Sequence, residues 1–234
     1  MRCKLLLLVA LLPGTALAAP DRPGAGPGAW PGAGVIAADR AYAALAQAQG
    51  EWAATRAVSA PHAEVFAPRR IAVQALGQPL PAPRLAARWS PDHAWLSCDG
   101  TAGITYGRWS PPGTTQRGWY EAVWVQLRSG GYKLLLRHAG TATPKLLSKP
   151  GKRGARAACS GQPGLPIGAP AEGTDLKFGA SRDQTLIWSS AVDRGGAVTI
   201  TAAQWDGTRH VPVLIGSTSP ANARPANTSP ANAR

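Results

Sequence analysis

Residues 89–109 read WSPDHAWLSCDGTAGITYGRW. Apolar and polar residues alternate on both sides of Asp99-Gly100, a dipeptide suited to the tight turn of a β-hairpin. The stretch predicts a strand over Ala94–Cys98, a turn, and a return strand over Thr101–Trp109. A second reading competes with this one. An Asp-His pair and a Cys-Asp pair stand close together, as they do in some active sites.

Downstream, the period of two continues. Ser110–Gly118 reads as a loop, Trp119–Arg128 as a third strand and Tyr132–His138 as a fourth, with Ser129-Gly130-Gly131 between them as a turn. Upstream, the period becomes helical. Ala38, Tyr42, Leu45, Gln49 and Trp52 fall on one stripe, Asp39 is placed to cap the helix, Gly50 to break it and Pro61 to stop it. Ala63–Ala67 reads as extended, and residues 68–84, with four prolines, leave room for a short helix around Ile71–Leu76. Beyond residue 172, three more strands are expected over Thr185–Val192, Ala197–Gln204 and Arg209–Ile215. Leu186, Trp188, Val192, Val198, Ile200, Val211 and Val213 would share one face, and a meander with one apolar face needs a cover. Helices first and antiparallel strands after make an α+β plan.

The chain opens MRCKLLLLVALLPGTALAAP. A basic start, a short apolar run and Ala16-Leu17-Ala18 predict a signal peptide over residues 1–18 and a periplasmic or secreted protein. No later stretch is apolar enough to predict a membrane span. Residues 19–34 are a Pro/Gly-rich leader, 144–172 a basic Pro/Gly-rich linker, and 217–234 a tail in which TSPANAR occurs twice. These three are expected to be irregular or disordered. They bracket a domain over 35–143 and a β-meander over 173–216.

Cys3 leaves with the signal peptide, and Cys98 and Cys159 remain. In an oxidising compartment they suggest one disulfide, the other reading being two free thiols. The net charge of +13 suits an anionic partner such as an envelope polymer, with Lys145–Arg156 as the densest basic run. Nucleic acid is disfavoured, because the aromatic residues sit in strands and not among the basic ones.

Residues 35–143 resemble the NTF2-like superfamily, in the style of small exported SnoaL-like bacterial proteins. The resemblance rests on the helix ADRAYAALAQAQG, then EVFAP, then the hairpin quoted above, then GWYEAVWVQLRSGGYKLLLRHAG. Its marks are Trp89-Ser-Pro91 before the sheet, Ser97-Cys-Asp99-Gly100 at the turn, Gly107-Arg-Trp109 and Gly131-Tyr132-Lys133. The resemblance implies a cone, with N-terminal helices packed on a curved antiparallel sheet around a pocket. Here a three-strand β extension would follow it. It also implies either an isomerase or dehydratase or, as in many relatives, a non-catalytic binding module. Many relatives carry an acidic residue just before the closing Gly of the last strand, where this chain has Arg137 and His138.

Among candidate chemical groups, Asp92 and His93 are adjacent in an extended segment, so they point apart, and a polar turn is the simpler reading. The carboxylate of Asp99 opposes thiolate formation at Cys98. His62, His93, His138 and His210 lack metal-ligand spacing, and no cofactor motif is present, so neither metal nor cofactor is expected. One pair stands out. With a two-residue Gly130-Gly131 turn, Leu127 faces Leu134, Val125 faces Leu136 and Val123 faces His138, with Glu121 diagonal to His138 on the same face. If that face lines the cone, Tyr42, Tyr106, Glu121, Val123 and His138 are the expected ligand contacts, with Glu121 and His138 the candidate acid and base.

The function expected is non-catalytic binding of a small molecule or a protein, with a homodimer among the allowed arrangements. A cofactor-free acid–base enzyme is the alternative, and binding of an anionic envelope polymer a third reading. The exported protein should begin at Ala19 or Pro20, and intact-mass measurement checks this: a mass that retains Cys3 would refute it.

Overall fold

A computed structural model describes residues 31–66, 69–77, 85–111, 114–128, 130–141, 145–146, 154–165 and 172–219. The expected signal peptide, residues 19–30 of the leader, much of the linker and tail residues 220–234 lie outside them.

Helix α1 (Ala33–Gln49) begins inside the expected leader, and α2 (Glu51–Val58) follows directly. Gly50 separates them at φ 87°, a conformation that costs glycine least. Asp39 does not cap α1. It lies within the helix and is fully buried, on a stripe with Val35, Ile36, Tyr42 and Ala46. That stripe is rotated from the expected one because Asp39 finds polar partners in the sheet. The second helix ends before Pro61, which lies in strand β1 (Ser59–Phe66). In place of a helix at Ile71–Leu76 there are strand β2 (Arg70–Ala72) and a single 3-10 turn.

The quoted hairpin forms strands β3 (Arg88–Leu96) and β4 (Ala102–Ser110). Asp92-His93 lies within β3 and not in a turn before it, where the register slips between Pro91 and His93. Strands β5 (Gly118–Gln126) and β6 (Tyr132–Gly140) complete the main sheet. With the short strand β8 (Ala155–Arg156) its order is β2-β1-β6-β5-β4-β3-β8, and β1 and β8 each run parallel to their neighbours β6 and β3.

The β5–β6 register differs from the expected one. The turn runs from Leu127 to Gly131, and pairing begins at Gln126 opposite Tyr132. A bulge between Val123 and Trp124 then leaves Leu135 as an extra residue on β6. Glu121 therefore stands directly opposite His138. The bulge also puts Leu134 and Leu136, expected on one face, into different cores.

The second sheet holds five strands, in spatial order β7 (Lys145–Leu146), β12 (His210–Thr218), β11 (Val198–Trp205), β10 (Leu186–Val192) and β9 (Asp175–Ala180). Three are the expected meander: β10, β11 and β12. The expectation missed β7 in the linker and β9, whose largely exposed side chains carry no alternation. Strand β12 also takes in Ser217 and Thr218 from the expected tail. A bulge in its pairing with β11 brings Leu214 into the core in place of Val211.

The main sheet is a wall between two cores. On one side Val35, Ile36 and Tyr42 of α1 meet Trp89, Tyr120, Trp124 and Leu134. On the other, Ile104, Val123 and Leu136 meet Leu186, Trp188, Ile200 and Leu214 of the second sheet.

Two turns that share a Ser-x-Asp-x-Thr pattern, residues 97–101 and 181–185, hold the sheets together at one end. In each, a serine hydroxyl donates to an aspartate two residues on: Ser97 to Asp99 and Ser181 to Asp183. The turns then bond each other. The Cys98 amide donates to the Thr185 hydroxyl at 2.8 Å, the Asp99 amide to the Asp183 carboxylate at 2.8 Å, and the Arg182 amide to the Thr101 hydroxyl at 3.1 Å. Beside them Cys98 and Cys159 form a disulfide with a Cα–Cα distance of 5.2 Å and a sequence separation of 61. Chain-entropy arguments give such a crosslink about 4 kcal/mol.

Partial burial works against the Asp183 charge, but donors from Ser181, Asp99 and Thr185 outweigh it and hold the carboxyl below its ordinary 3.8. Its stabilisation is thus complete above pH 3.8 and fades as pH falls through the lowered value. Asp183→Ala should destabilise by about 1–2 kcal/mol near neutral pH, the carboxylate being partly exposed. Urea unfolding checks this, and the deficit should shrink in acid.

Candidate functional site

Three polar constellations emerge, two sealed and one open. The first lies between the helices and the main sheet. Asp39 accepts hydrogen bonds from three successive strands: Trp89 Nε1 of β3 at 3.0 Å, the Thr105 hydroxyl of β4, and the Tyr120 hydroxyl of β5 at 2.8 Å. Burial pushes its carboxyl above the ordinary value, and these donors pull it part of the way back. Nearby, Arg137 of β6 pairs with Glu51 at 2.9 Å, both side chains being buried. Its guanidinium lies 4.1 Å from the Trp89 ring centre and stacks near Tyr42 and Tyr120. Burial opposes the charge of Arg137, but Tyr42, Glu51 and Asp39 more than restore it, so it stays protonated. Tyr42 shares a 2.7 Å hydrogen bond with Thr55. The space left beside Glu51, Thr55 and Arg137 is about 20 Å³, room for a single water.

The second constellation lies between the sheets. Glu121 and His138 are buried, with Nδ1 of His138 3.0 Å from Oε1 of Glu121. Nε2 of His138 is 2.8 Å from the Thr218 hydroxyl of β12. With Glu121 ionised, Nδ1–H donates to it and Nε2 accepts from Thr218; with Glu121 protonated, both directions reverse. Burial raises the Glu121 carboxyl above its ordinary value, and the bond to His138 offsets this in part. Strand β12 can approach the pair because residue 216 is glycine: a Cβ there would come within 2.5 Å of the carboxylate.

This placement corrects one expectation. The face holding Glu121, Val123 and His138 does not look toward the helices; it is the opposite face of the sheet, covered by β12. Tyr42 lies on the helix side, so the five expected ligand contacts do not share one cavity. Tyr106 is on the inter-sheet side and half-buried, in a cross-strand row where His93 faces Tyr106, Tyr106 faces Glu121 and Glu121 faces His138. Cys98 is in the disulfide, and Asp99 organises its own turn by accepting from Ser97 and Thr101.

The third constellation is open. At one end of the main sheet, the start of β3, the end of β4, residues 114–117 and the start of β5 frame a groove of about 430 Å³. Arg88, Arg108 and Arg117 line it, with the hydroxyls of Ser90, Ser110, Thr114 and Thr115 and the rings of Trp89 and Trp109. Arg108 is held by Asp92 through two contacts of 3.0 and 3.1 Å. Sequence reasoning missed this site. Its three arginines are scattered over 30 positions, and only the strand pairing gathers them. Among the described residues, no three His, Cys, Asp or Glu side chains cluster as metal ligands, and no helix is long and apolar enough to cross a membrane.

Comparison with family models finds no match to this chain, and comparison with curated protein sequences finds none either.

Because Glu121 is held above its ordinary 4.5, its burial favours the fold most below pH 4.5, and that advantage is lost as pH rises through the raised value. Glu121→Gln keeps an acceptor for His138 without the buried charge. Near neutral pH it should therefore match or exceed the parent in urea stability, with the difference vanishing in acid. His138→Ala, which leaves Glu121 and Thr218 unpaired, should lose about 2–4 kcal/mol.

Proposed function

We propose that this chain is an exported, non-catalytic binding module of the NTF2-like type, its helices and main sheet making the cone and its second sheet backing it. It binds a small molecule in the groove framed by Arg88, Ser90, Arg108 and Arg117. One contrast carries this reading. The buried acid–base groups are already partnered within closed cores, whereas the groove offers donors to solvent in a space within the usual range for ligand sites. The predicted signal peptide and the Cys98–Cys159 bridge support export.

A second reading, cofactor-free acid–base catalysis by Glu121 and His138, rests on their register with Tyr106 and His93 across four strands. It requires β12 to leave the pair, since Thr218 closes it. Binding of an envelope polymer through Lys145–Arg156 has weaker support: Arg156 is engaged with the Cys98 carbonyl, and residues 147–153 lie outside the described ones.

A small-molecule screen by thermal shift on the mature protein, followed by amide-shift mapping of hits, tests the proposal. Perturbations should centre on residues 88–90, 108–111 and 114–118. Hits that map elsewhere, or turnover abolished by His138→Ala in a variant that still folds, would overturn it.

A further inference from the structure

We propose that the ligand of the groove carries a tetrahedral oxyanion, a phosphate or sulfate ester, on a hydroxylated body, and that Asp92 tunes its affinity by occupying Arg108. This rests on the groove being the binding site.

The polar lining consists of donors. Among the described residues, three arginines and four hydroxyl-bearing residues line the space, and no Asp or Glu does. Asp92 holds Arg108 through two contacts. Among the described residues, Arg88 and Arg117 make no ion pair, so no described carboxylate neutralises their charge. The net charge, +13 for the full chain and 13 − 2 = +11 once Arg2 and Lys4 leave with residues 1–18, adds a field that draws anions in.

The distribution of the donors selects the geometry of the anion. A planar carboxylate is satisfied by a single guanidinium fork. Here the forks come from separate segments: Arg88 opens β3, Arg108 lies near the end of β4, and Arg117 lies in the loop before β5. An anion with three peripheral oxygens directed apart can engage donors on all three sides at once. The serine and threonine hydroxyls, which donate and accept, suit a body bearing hydroxyls, and the tryptophan rings give it an apolar wall. A volume of about 430 Å³ accommodates a group of monosaccharide ester size.

Asp92 is the competing anion. While it holds the Nε–Nη2 edge of Arg108, a ligand oxygen meets a guanidinium already partly satisfied. Neutralising Asp92 releases that edge and removes a negative charge beside the groove.

Titration calorimetry of the mature protein with glucose 6-phosphate, glucose 6-sulfate and glucose tests the inference, with amide-shift mapping to locate each probe. The two esters should bind and glucose should not; their ratio identifies which ester is preferred. Arg88→Ala and Arg117→Ala should each weaken ester binding about tenfold, with the lysine variants in between, and added salt should weaken it further. Asp92→Asn should tighten it several-fold. Unfolding midpoints near that of the parent would show that these surface variants fold.

Glucose binding in the groove as tightly as the esters would overturn the oxyanion inference and leave the groove reading standing. Ester binding indifferent to Arg88 and Arg117 would mark general charge attraction and overturn the inference, as would binding of long polyanions such as heparin alone. An unchanged affinity in Asp92→Asn would remove the role of Asp92. Groove amides undisturbed by any of these probes or by any hit of the screen would overturn both.

Discussion

Asp39 places a carboxylate where the molecule can least accommodate an unpartnered one, inside the core between α1 and the main sheet. Burying such a group without partners costs several kcal/mol, and three hydrogen bonds offset that cost here. The donors sit on three consecutive strands, Trp89 on β3, Thr105 on β4 and Tyr120 on β5. They converge only if the strands hold their observed register and α1 its observed rotation. Apolar packing tolerates small slips of either; a buried carboxylate with three fixed donors does not. Trp124 extends the set by donating its indole N–H to the Thr105 hydroxyl at 3.0 Å.

The main sheet carries two different interiors because alternate residues of a strand point to opposite faces. On β6, Arg137 goes to the helix side and meets Glu51, while the next residue, His138, goes to the inter-sheet side and meets Glu121. On β5, Tyr120 serves Asp39 and Glu121 serves His138. Each side thus joins its layers through a polar clasp set in apolar packing. Such clasps discriminate against slipped arrangements more than they add net stability, since burial of the charges consumes much of what their pairing returns. Gly216 belongs to the same design, for only a residue without Cβ lets β12 lie against the Glu121 carboxylate.

The distribution of burial separates structural polarity from available polarity. Asp39, Glu51, Arg137, Glu121 and His138 are the most chemically suggestive residues of the chain, and each is buried and engaged in the interior. The arginines around the groove carry no such signature in the sequence, yet all three are exposed, and among the described residues only Arg108 is held in an ion pair. Trp89 touches both regions: it lines the groove while its N–H holds Asp39 and its ring face takes Arg137. The groove floor is therefore anchored to the most constrained part of the core.

Local chemistry determined a good part of this in advance. The Asp99-Gly100 turn, the break at Gly50, the change from helical period to period two, and the shared face of Glu121 and His138 all follow from preferences that act over a few residues. The shared face survived an error in the register because the bulge at Leu135 made that error even at Glu121 and His138, and parity alone assigns sides. Tertiary structure decided the rest. The bulge at Leu135 divided Leu134 from Leu136, and the second sheet covered a face that the strand pattern could only mark as apolar. Asp39 became an interior acceptor and not a helix cap because donors from residues 50 to 81 positions away arrived beside it. Periodicity records which residues avoid water; which partners meet them there depends on contacts between distant segments, and no local pattern encodes those.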